Sequence, residues 1–316
     1  MGMNTETVTE KIRLRNLPLE ERVKLYNKAM SLRKKYGWGD IRISRKLSIP
    51  INVVRHWLYH NRNPIRQGNP HLFNPQPTPE LAYVIGVVQG DGDLHLHFPA
   101  TRRSGRVIRL RAKDKEFVEK FALATTKLLG KNEPYKVGFE RGQYSACAYS
   151  YYLYEFLKKP LEELKPFIEA FPLEFVKGVM DSEGCVQVNT WRWKNWETLI
   201  VKITMTNTNL KLLLYIQELL SRCLNIRSRI KRSYKKGSKF ERNGKIFVRN
   251  KDAFDLVIGT INDVKLFASR IGFSILRKQQ KLFDAIRIIE SCNKGKERTK
   301  EWLKLYKKEK GKWIKI

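Results

Sequence analysis

Two stretches of this chain set an acid in the same surroundings. One reads Leu81-Ala82-Tyr83-Val84-Ile85-Gly86-Val87-Val88-Gln89-Gly90-Asp91-Gly92, and the other Phe175-Val176-Lys177-Gly178-Val179-Met180-Asp181-Ser182-Glu183-Gly184. In each, a glycine lies five residues before an acid and another glycine follows it. The acids, Asp91 and Glu183, fall where an apolar helix ends, at the negative pole of its macrodipole. Gly86 with Gly90, and Gly178 with Ser182, are small residues four apart, which lets two helix backbones approach closely. A glycine inside a helix costs about 1 kcal/mol, so close packing has to offset it. Helices packed this way bring the two carboxylates together. Like charges in a partly desolvated notch push one pKa up, and a divalent cation between them removes both penalties. Oxygen ligands with positions left for water and phosphate suit Mg²⁺, or another divalent cation such as Mn²⁺. The chemistry of such a site is metal-assisted phosphodiester hydrolysis. Either acid alone reads as an ordinary residue of a turn. Two acids in matching context, about ninety residues apart, do not.

The elements that must position these acids are also said twice. The spacing predicts an apolar helix over 81–90, strands over 93–98 and 105–111, and a helix over 114–129. Strands over 135–139 and 144–149 and helix to about 168 complete this first unit. The second unit repeats the order, with helix over 173–182, strands over 186–191 and 199–205, and helix over 209–224. Strands over 227–234, 246–248 and 254–258 and helices over 261–271 and 275–289 follow. This is an internal duplication of the α+β class, two pseudo-symmetric αββαββα halves at 80–170 and 171–292. Ahead of them, 1–60 reads as a small all-α domain of three helices. Asn61 to Pro79 contains five of the twelve prolines and reads as an extended linker. Residues 293–316 carry ten Lys or Arg against three Glu and read as a basic tail, either a surface helix or a flexible arm.

Composition narrows the function further. Of 316 residues, 63 are Lys or Arg and 31 are Asp or Glu, a formal charge of +32. Such an excess repels itself unless a polyanion relieves it, and nucleic acid is the obvious candidate. There is no uncharged apolar run long enough to span a membrane, and a membrane-surface role would rest on the last twenty-odd residues alone. The polar N-terminus carries no secretory signal, so the expected location is cytoplasmic, with the nucleoid. The four cysteines, Cys147, Cys185, Cys223 and Cys292, show no C-x-x-C spacing, which argues against a zinc site or a disulfide framework.

On the doubled motif, the chain resembles a single-chain LAGLIDADG homing endonuclease of the archaeal intron type, over about Pro79 to Ser291. The resemblance implies that the motif helices form the seam between the halves, with saddle-shaped antiparallel sheets on either side. It implies that Asp91 and Glu183 bind the catalytic metals, assisted by the carbonyls of Gly90 and Ser182. Gln89 departs from the family, which often has Asp there, whereas the second copy keeps Asp181. The family also places a Lys or Gln just before the helix that follows the second strand. Lys113 matches that position in the first half, and Asn207 is taken as its counterpart in the second. A further family lysine corresponds to Arg277 or Lys278. The implied activity is cleavage of both strands of a long, asymmetric DNA target by a monomer, leaving short 3′ overhangs.

The predicted strands are visibly basic. Arg106, Arg109 and Arg111, with Arg102 and Arg103, serve the first half. Arg227, Arg229, Lys231 and Arg232, with Lys235 and Lys236, serve the second. Arg109 and Arg111 are two apart and share a face, as do Arg227, Arg229 and Lys231. A two-stranded ribbon fits the DNA major groove. Gln187 is placed to read a base edge. Trp191, Trp193 and Trp196 cluster near one hairpin turn, more simply as packing than as stacking platforms. The N-terminal domain resembles a helix-turn-helix over Ile43 to Leu58, whose last helix would offer Asn52, Arg55 and His56 to a major groove. Two other readings share the scaffold: a DNA-binding regulator that has lost catalysis, and an intron RNA maturase. Retention of both acids weighs against the first. A charge-driven DNA interface should weaken by about 0.9 log units in affinity per log unit of salt for each phosphate contact, and a flat salt titration would contradict it.

Overall fold

The computed structural model describes residues 14, 17, 19–60, 64, 73–97, 105–194, 196–242, 244–309 and 311–316, without the side chains of residues 19, 20, 97 and 193. Most of the predicted linker, and Arg102 and Arg103, lie outside the described residues. The chain divides into two units, 1–72 and 73–316. No helix among the described residues is long and apolar enough to cross a membrane.

In the first unit, α1 (Leu19–Tyr36), α2 (Asp40–Leu47) and α3 (Ile51–Tyr59) enclose a small core of Ala29, Ile43, Ile49, Val54 and Trp57. Tyr26 meets Trp57 edge to face at 5.6 Å. The α2–α3 turn closes on Ser48 in the left-handed region (φ 53°), and Ser44 Oγ donates to Ile49 O at 2.6 Å.

The second unit opens with α4 (Pro79–Gln89), capped by Thr78, whose hydroxyl accepts from Leu81 N. Strands β1 (Asp93–His97) and β2 (Gly105–Ala112), helix α5 (Lys115–Leu128), strands β3 (Val137–Glu140) and β4 (Gln143–Tyr149), and helices α6 (Tyr151–Leu157) and α7 (Leu161–Ala170) complete one half. The other half begins with α8 (Pro172–Glu183), β5 (Gly184–Trp193), β6 (Trp196–Asn207), α9 (Leu210–Arg222) and β7 (Arg229–Tyr234). It continues through the short hairpin β8 (Lys239–Arg242) and β9 (Lys245–Val248), then β10 (Ala253–Ile258), α10 (Ile261–Arg270) and α11 (Leu276–Ser291). The two sheets are topological copies, antiparallel in order β1-β2-β4-β3 and β5-β6-β10-β7. Their inner faces and the helices share one apolar core that includes Leu110, Phe117, Phe121, Ile203, Met205 and Phe267. The α+β class and the repeated order are those predicted from the spacing.

The halves differ in their decoration. Between β3 and β4 the chain reverses tightly at Arg141 and Gly142, both at positive φ (52° and 76°) as a hairpin turn requires. At the corresponding place the second half inserts β8 and β9, whose Phe240 and Phe247 stack at 5.6 Å.

Residues 293–316 correct the expectation of a surface tail. They form α12 (Gly295–Leu305) and the hairpin β11 (Tyr306–Glu309) and β12 (Lys312–Lys315). Trp302 is fully buried, stacked on Tyr306 at 4.0 Å, with Trp313 edge-on at 5.8 Å. Trp313 Nε1 donates to Val188 O at 2.7 Å, which pins the hairpin to β5. Burial alone would raise the Asp284 carboxyl, but donors Lys315, Tyr306 and Gln280 hold it below its ordinary value. The lysine count had hidden three aromatic side chains spaced to meet. Trp302→Ala should therefore cost about 3–5 kcal/mol in denaturant unfolding, as for a buried aromatic. A negligible change would detach this segment from the core.

Candidate active site

The seam between the halves is a contact of backbones. A Cβ added to Gly86 would lie 3.2 Å from Gly178 Cα and 3.0 Å from Val179 N, and would strike the Phe175 carbonyl. A Cβ on Gly178 would lie 3.2 Å from Gly86 Cα and 3.0 Å from Val87 N, and would strike the Tyr83 carbonyl. The two environments mirror each other, so α4 and α8 cross on a local twofold. One turn further on, a Cβ on Gly90 would sit 2.5 Å from Ser182 Cβ and 3.3 Å from Glu183 Cγ. Any larger residue at these positions pushes the helices, and the acids after them, apart.

One buried carboxylate locks this crossing. Asp181 Oδ2 accepts from Tyr83 OH of α4 at 3.0 Å, and its Oδ1 accepts from Ser274 N at 2.7 Å. Its backbone oxygen accepts from Lys278 Nζ at 2.8 Å. Burial raises the Asp181 pKa, and the two donors oppose the rise. The first copy carries Gln89 at this position, so a carboxylate stands here in the second copy only.

At the helix ends Asp91 and Glu183 feel each other. Burial pushes the Glu183 carboxyl above its ordinary value, and the Asp91 charge adds to the rise while Lys278 opposes it. Burial likewise raises Asp91, again with Lys278 opposing, although the residue remains open to solvent on one side. Lys278 is thus the cation that acts on both acids, and burial lowers its own pKa. Arg277, the other sequence candidate for this place, faces elsewhere. It forms a two-pronged pair with Asp114 at 2.6 and 2.8 Å.

The strand register decides which residue corresponds to Lys113. Asp93 and Cys185 each follow the acid by two residues, and their cross-strand partners are Arg109 and Thr204. Four residues beyond those partners come Lys113 and Thr208, each directly ahead of a helix N-cap, Asp114 and Asn209. The counterpart of Lys113 is therefore Thr208, not Asn207. Asn207 Oδ1 instead accepts from Asn209 N at 2.8 Å, within the turn that starts α9. Both strands stop in step one residue earlier, β2 at Ala112 and β6 at Asn207, so Asn207 matches Ala112.

The other candidate residues divide by strand parity. Arg109 and Arg111 point away from the helices, opposite to buried Ile108 and Leu110. Arg109 pairs with Asp93 at 2.6 Å, and Arg111 is exposed. Arg106 faces the other way, where it bonds Glu155 at 2.9 Å and lies 4.1 Å from the Tyr151 ring centre, so it does not join them. Gln187 is exposed on β5, across from Lys202. Arg229 and Lys231 share a face of β7, with Lys231 3.7 Å from Asp255. Arg232 takes the opposite parity, while Arg227 precedes the strand and is held by Asp263 through its backbone N–H (3.0 Å) and guanidinium (3.5 Å). Trp191 and Trp196 are half-exposed and meet edge to face at 5.6 Å. In the helical unit, Asn52 is exposed, Arg55 pairs with Asp40 at 2.9 Å, and His56 lies against His60 with ring centres 5.3 Å apart. Among the described residues no group of three or more His, Cys, Asp or Glu forms a metal cage.

The domain family described as LAGLIDADG-like matches residues 170–272. MJ0398 of Methanocaldococcus jannaschii is 30% identical over 292 residues, which is 90% of this chain and 99% of that protein. The chain belongs to the LAGLIDADG family. The domain match covers the second copy only, and the Gly86–Gly178 contact shows the first to be its structural twin. Among solved structures, I-DmoI in complex with DNA and Mn is similar at 20% identity and TM-score 0.43, covering 62% of this chain and 97% of that one. The I-LtrWI LAGLIDADG homing endonuclease bound to target DNA is similar at 12% identity and TM-score 0.46, covering 71% and 95%.

In this LAGLIDADG core the raised acids set a pH dependence of known sign. The folded state holds protons on Asp91 and Glu183 more readily than the unfolded chain, so metal-free stability falls as pH rises through their folded pKa values. Asp91→Asn and Glu183→Gln should each raise the Tm in EDTA at neutral pH, with the gain shrinking as pH is lowered. A lower Tm for both variants at neutral pH would contradict the electrostatics described above.

Proposed function

We propose that this protein is a site-specific endonuclease that cuts both strands of duplex DNA, in the manner of the homing endonucleases of its family. The observation that carries this reading is the meeting of Asp91 and Glu183 at the seam, where each lies at a helix end and the charge of one raises the pKa of the other. The donor set fits a divalent cation. Two carboxylates, with no third His, Cys, Asp or Glu grouped with them among the described residues, leave positions for water and phosphate oxygens, as Mg²⁺ prefers. Asp91 and Glu183 would hold the metal, with the carbonyls of Gly90 and Ser182 beside them. When bound, the ion would supply charge for the attacking and leaving oxygens of an in-line displacement.

The chain's own groups have separable tasks. Asp91 and Glu183 must be ionised, so activity falls as pH drops through their raised pKa values. Lys278, held against the Asp181 carbonyl, is fixed beside both acids and can offset the charge that develops on a phosphate. Lys113 stands ready to orient water on the first side, while Thr208 offers only a neutral hydroxyl on the second. Arg109 and Arg111 on one sheet and Gln187, Arg229 and Lys231 on the other would contact DNA. The α3 residues Asn52, Arg55 and His56 would form a second DNA-contacting module of helix-turn-helix type, lengthening the recognised target through a tether.

Asp91→Asn should abolish nicking and cutting of plasmid or library DNA with Mg²⁺ or Mn²⁺ while leaving duplex binding in place, and EDTA should do the same to the parent protein. Undiminished cutting by Asp91→Asn would sink the metal reading. Binding without any cutting by the parent would point instead to a DNA-binding regulator.

A further inference from the structure

The C-terminal segment does more than complete the core. Together with β5 and the first two turns of α11, the β11–β12 hairpin lines a groove of about 1330 Å³. The groove begins at Gly184, the residue after Glu183, and follows β5 past Gln187 to Asn189. Six cations line it, Arg277, Lys278, Lys281, Lys308, Lys312 and Lys315, and no Asp or Glu is among its described lining residues.

Three of those cations are already engaged. Arg277 is held by Asp114, Lys315 by Asp284 and Lys278 by the Asp181 carbonyl. For Lys281, Lys308 and Lys312, no carboxylate lies within ion-pair distance among the described residues. Lys281 is also half-buried, and burial pulls its pKa down. A partly desolvated ammonium without a counter-charge is costly. Here the cost is borne beside two further lysines without a carboxylate in ion-pair reach, Lys308 lying 5.9 Å from the Trp313 ring centre, on a hairpin that Trp302, Trp313 and Asp284 hold in place.

A row of point charges along an open groove matches a polymer with one negative charge per repeat. Lysine contacts phosphate without reading sequence, whereas Gln187 and Asn189, two apart on one face of β5, can add neutral donors. We infer that this groove holds the phosphodiester backbone of duplex DNA on the second-half side of Glu183, with Lys281, Lys308 and Lys312 as phosphate contacts. The inference rests on the nuclease reading for its substrate and extends the contact from β5 onto α11 and the C-terminal hairpin. It also makes the contact one-sided, because among the described residues the C-terminal segment flanks β5 and has no counterpart along β1.

The test uses the full-length chain and a duplex recovered with the parent protein from a random library, in metal-free buffer. Lys308→Gln/Lys312→Gln should lower the slope of log affinity against log salt by about 1.8, from about 0.9 per lost phosphate contact. Phosphate-ethylation interference should disappear on one flank of the site only. Lys281→Gln, a separate variant on α11 and not on the hairpin, should lower the slope by about 0.9. Unchanged slopes and interference patterns in variants with parental Tm would overturn the groove and leave the nuclease reading standing. A parent that binds and does not cut, with slopes still lowered in the variants, would overturn the nuclease and keep the groove. Loss confined to structured RNA, or a parent that binds no duplex, would overturn the groove.

Discussion

Everything at the seam depends on two helix backbones lying nearly in contact. Gly86 and Gly178 permit it, since a methyl group on either would meet the other helix's main chain at no more than van der Waals distance. That approach determines how close the following residues come. Asp91 and Glu183 are therefore coupled by sterics before electrostatics enters, and their mutual repulsion is a consequence of the packing. Asp181 makes the crossing specific: its carboxylate accepts from Tyr83 on one side and Ser274 on the other, tying both motif helices to the start of α11. Through Lys278, the same anchor delivers the cation that partly offsets the acids' charge.

The twofold is good at the seam and deteriorates away from it. The two sheets share strand order, yet Lys113 corresponds to Thr208, Gln89 to Asp181, and a two-residue turn to the β8–β9 insertion. The C-terminal helix and hairpin enlarge one half further. A duplicated core needs symmetry only where its halves meet. Away from that line each copy is free to acquire its own surface.

Much of this was legible in the residues. The doubled glycine–acid pattern marked the motif helices because backbone contact admits so few residue types. The β alternation separated Arg109 and Arg111 from the core for the same kind of reason, a period imposed by the backbone. Three readings were misplaced. Arg106 was grouped with its neighbours by charge, although its parity sends it to Glu155. Asn207 was taken as the counterpart of Lys113, and only the strand register puts Thr208 in its place. The lysines of 293–316 concealed aromatic residues that fold it, because composition averages over spacing.

The sequence by itself determined the class, the repetition and the placing of two acids at the motif-helix ends, since each rests on local periodicity or on a residue type that sterics demand. Tertiary structure alone decided that Lys278 rather than Arg277 serves the acids, that Asp181 is the lock, and that the C-terminus is a wall and not a tail. Those outcomes turn on partners 90 or more residues away, such as Asp114 for Arg277, Tyr83 for Asp181 and Val188 for Trp313. No local pattern encodes such a pairing, because the competing side chains are chemically alike and only the packed geometry tells them apart.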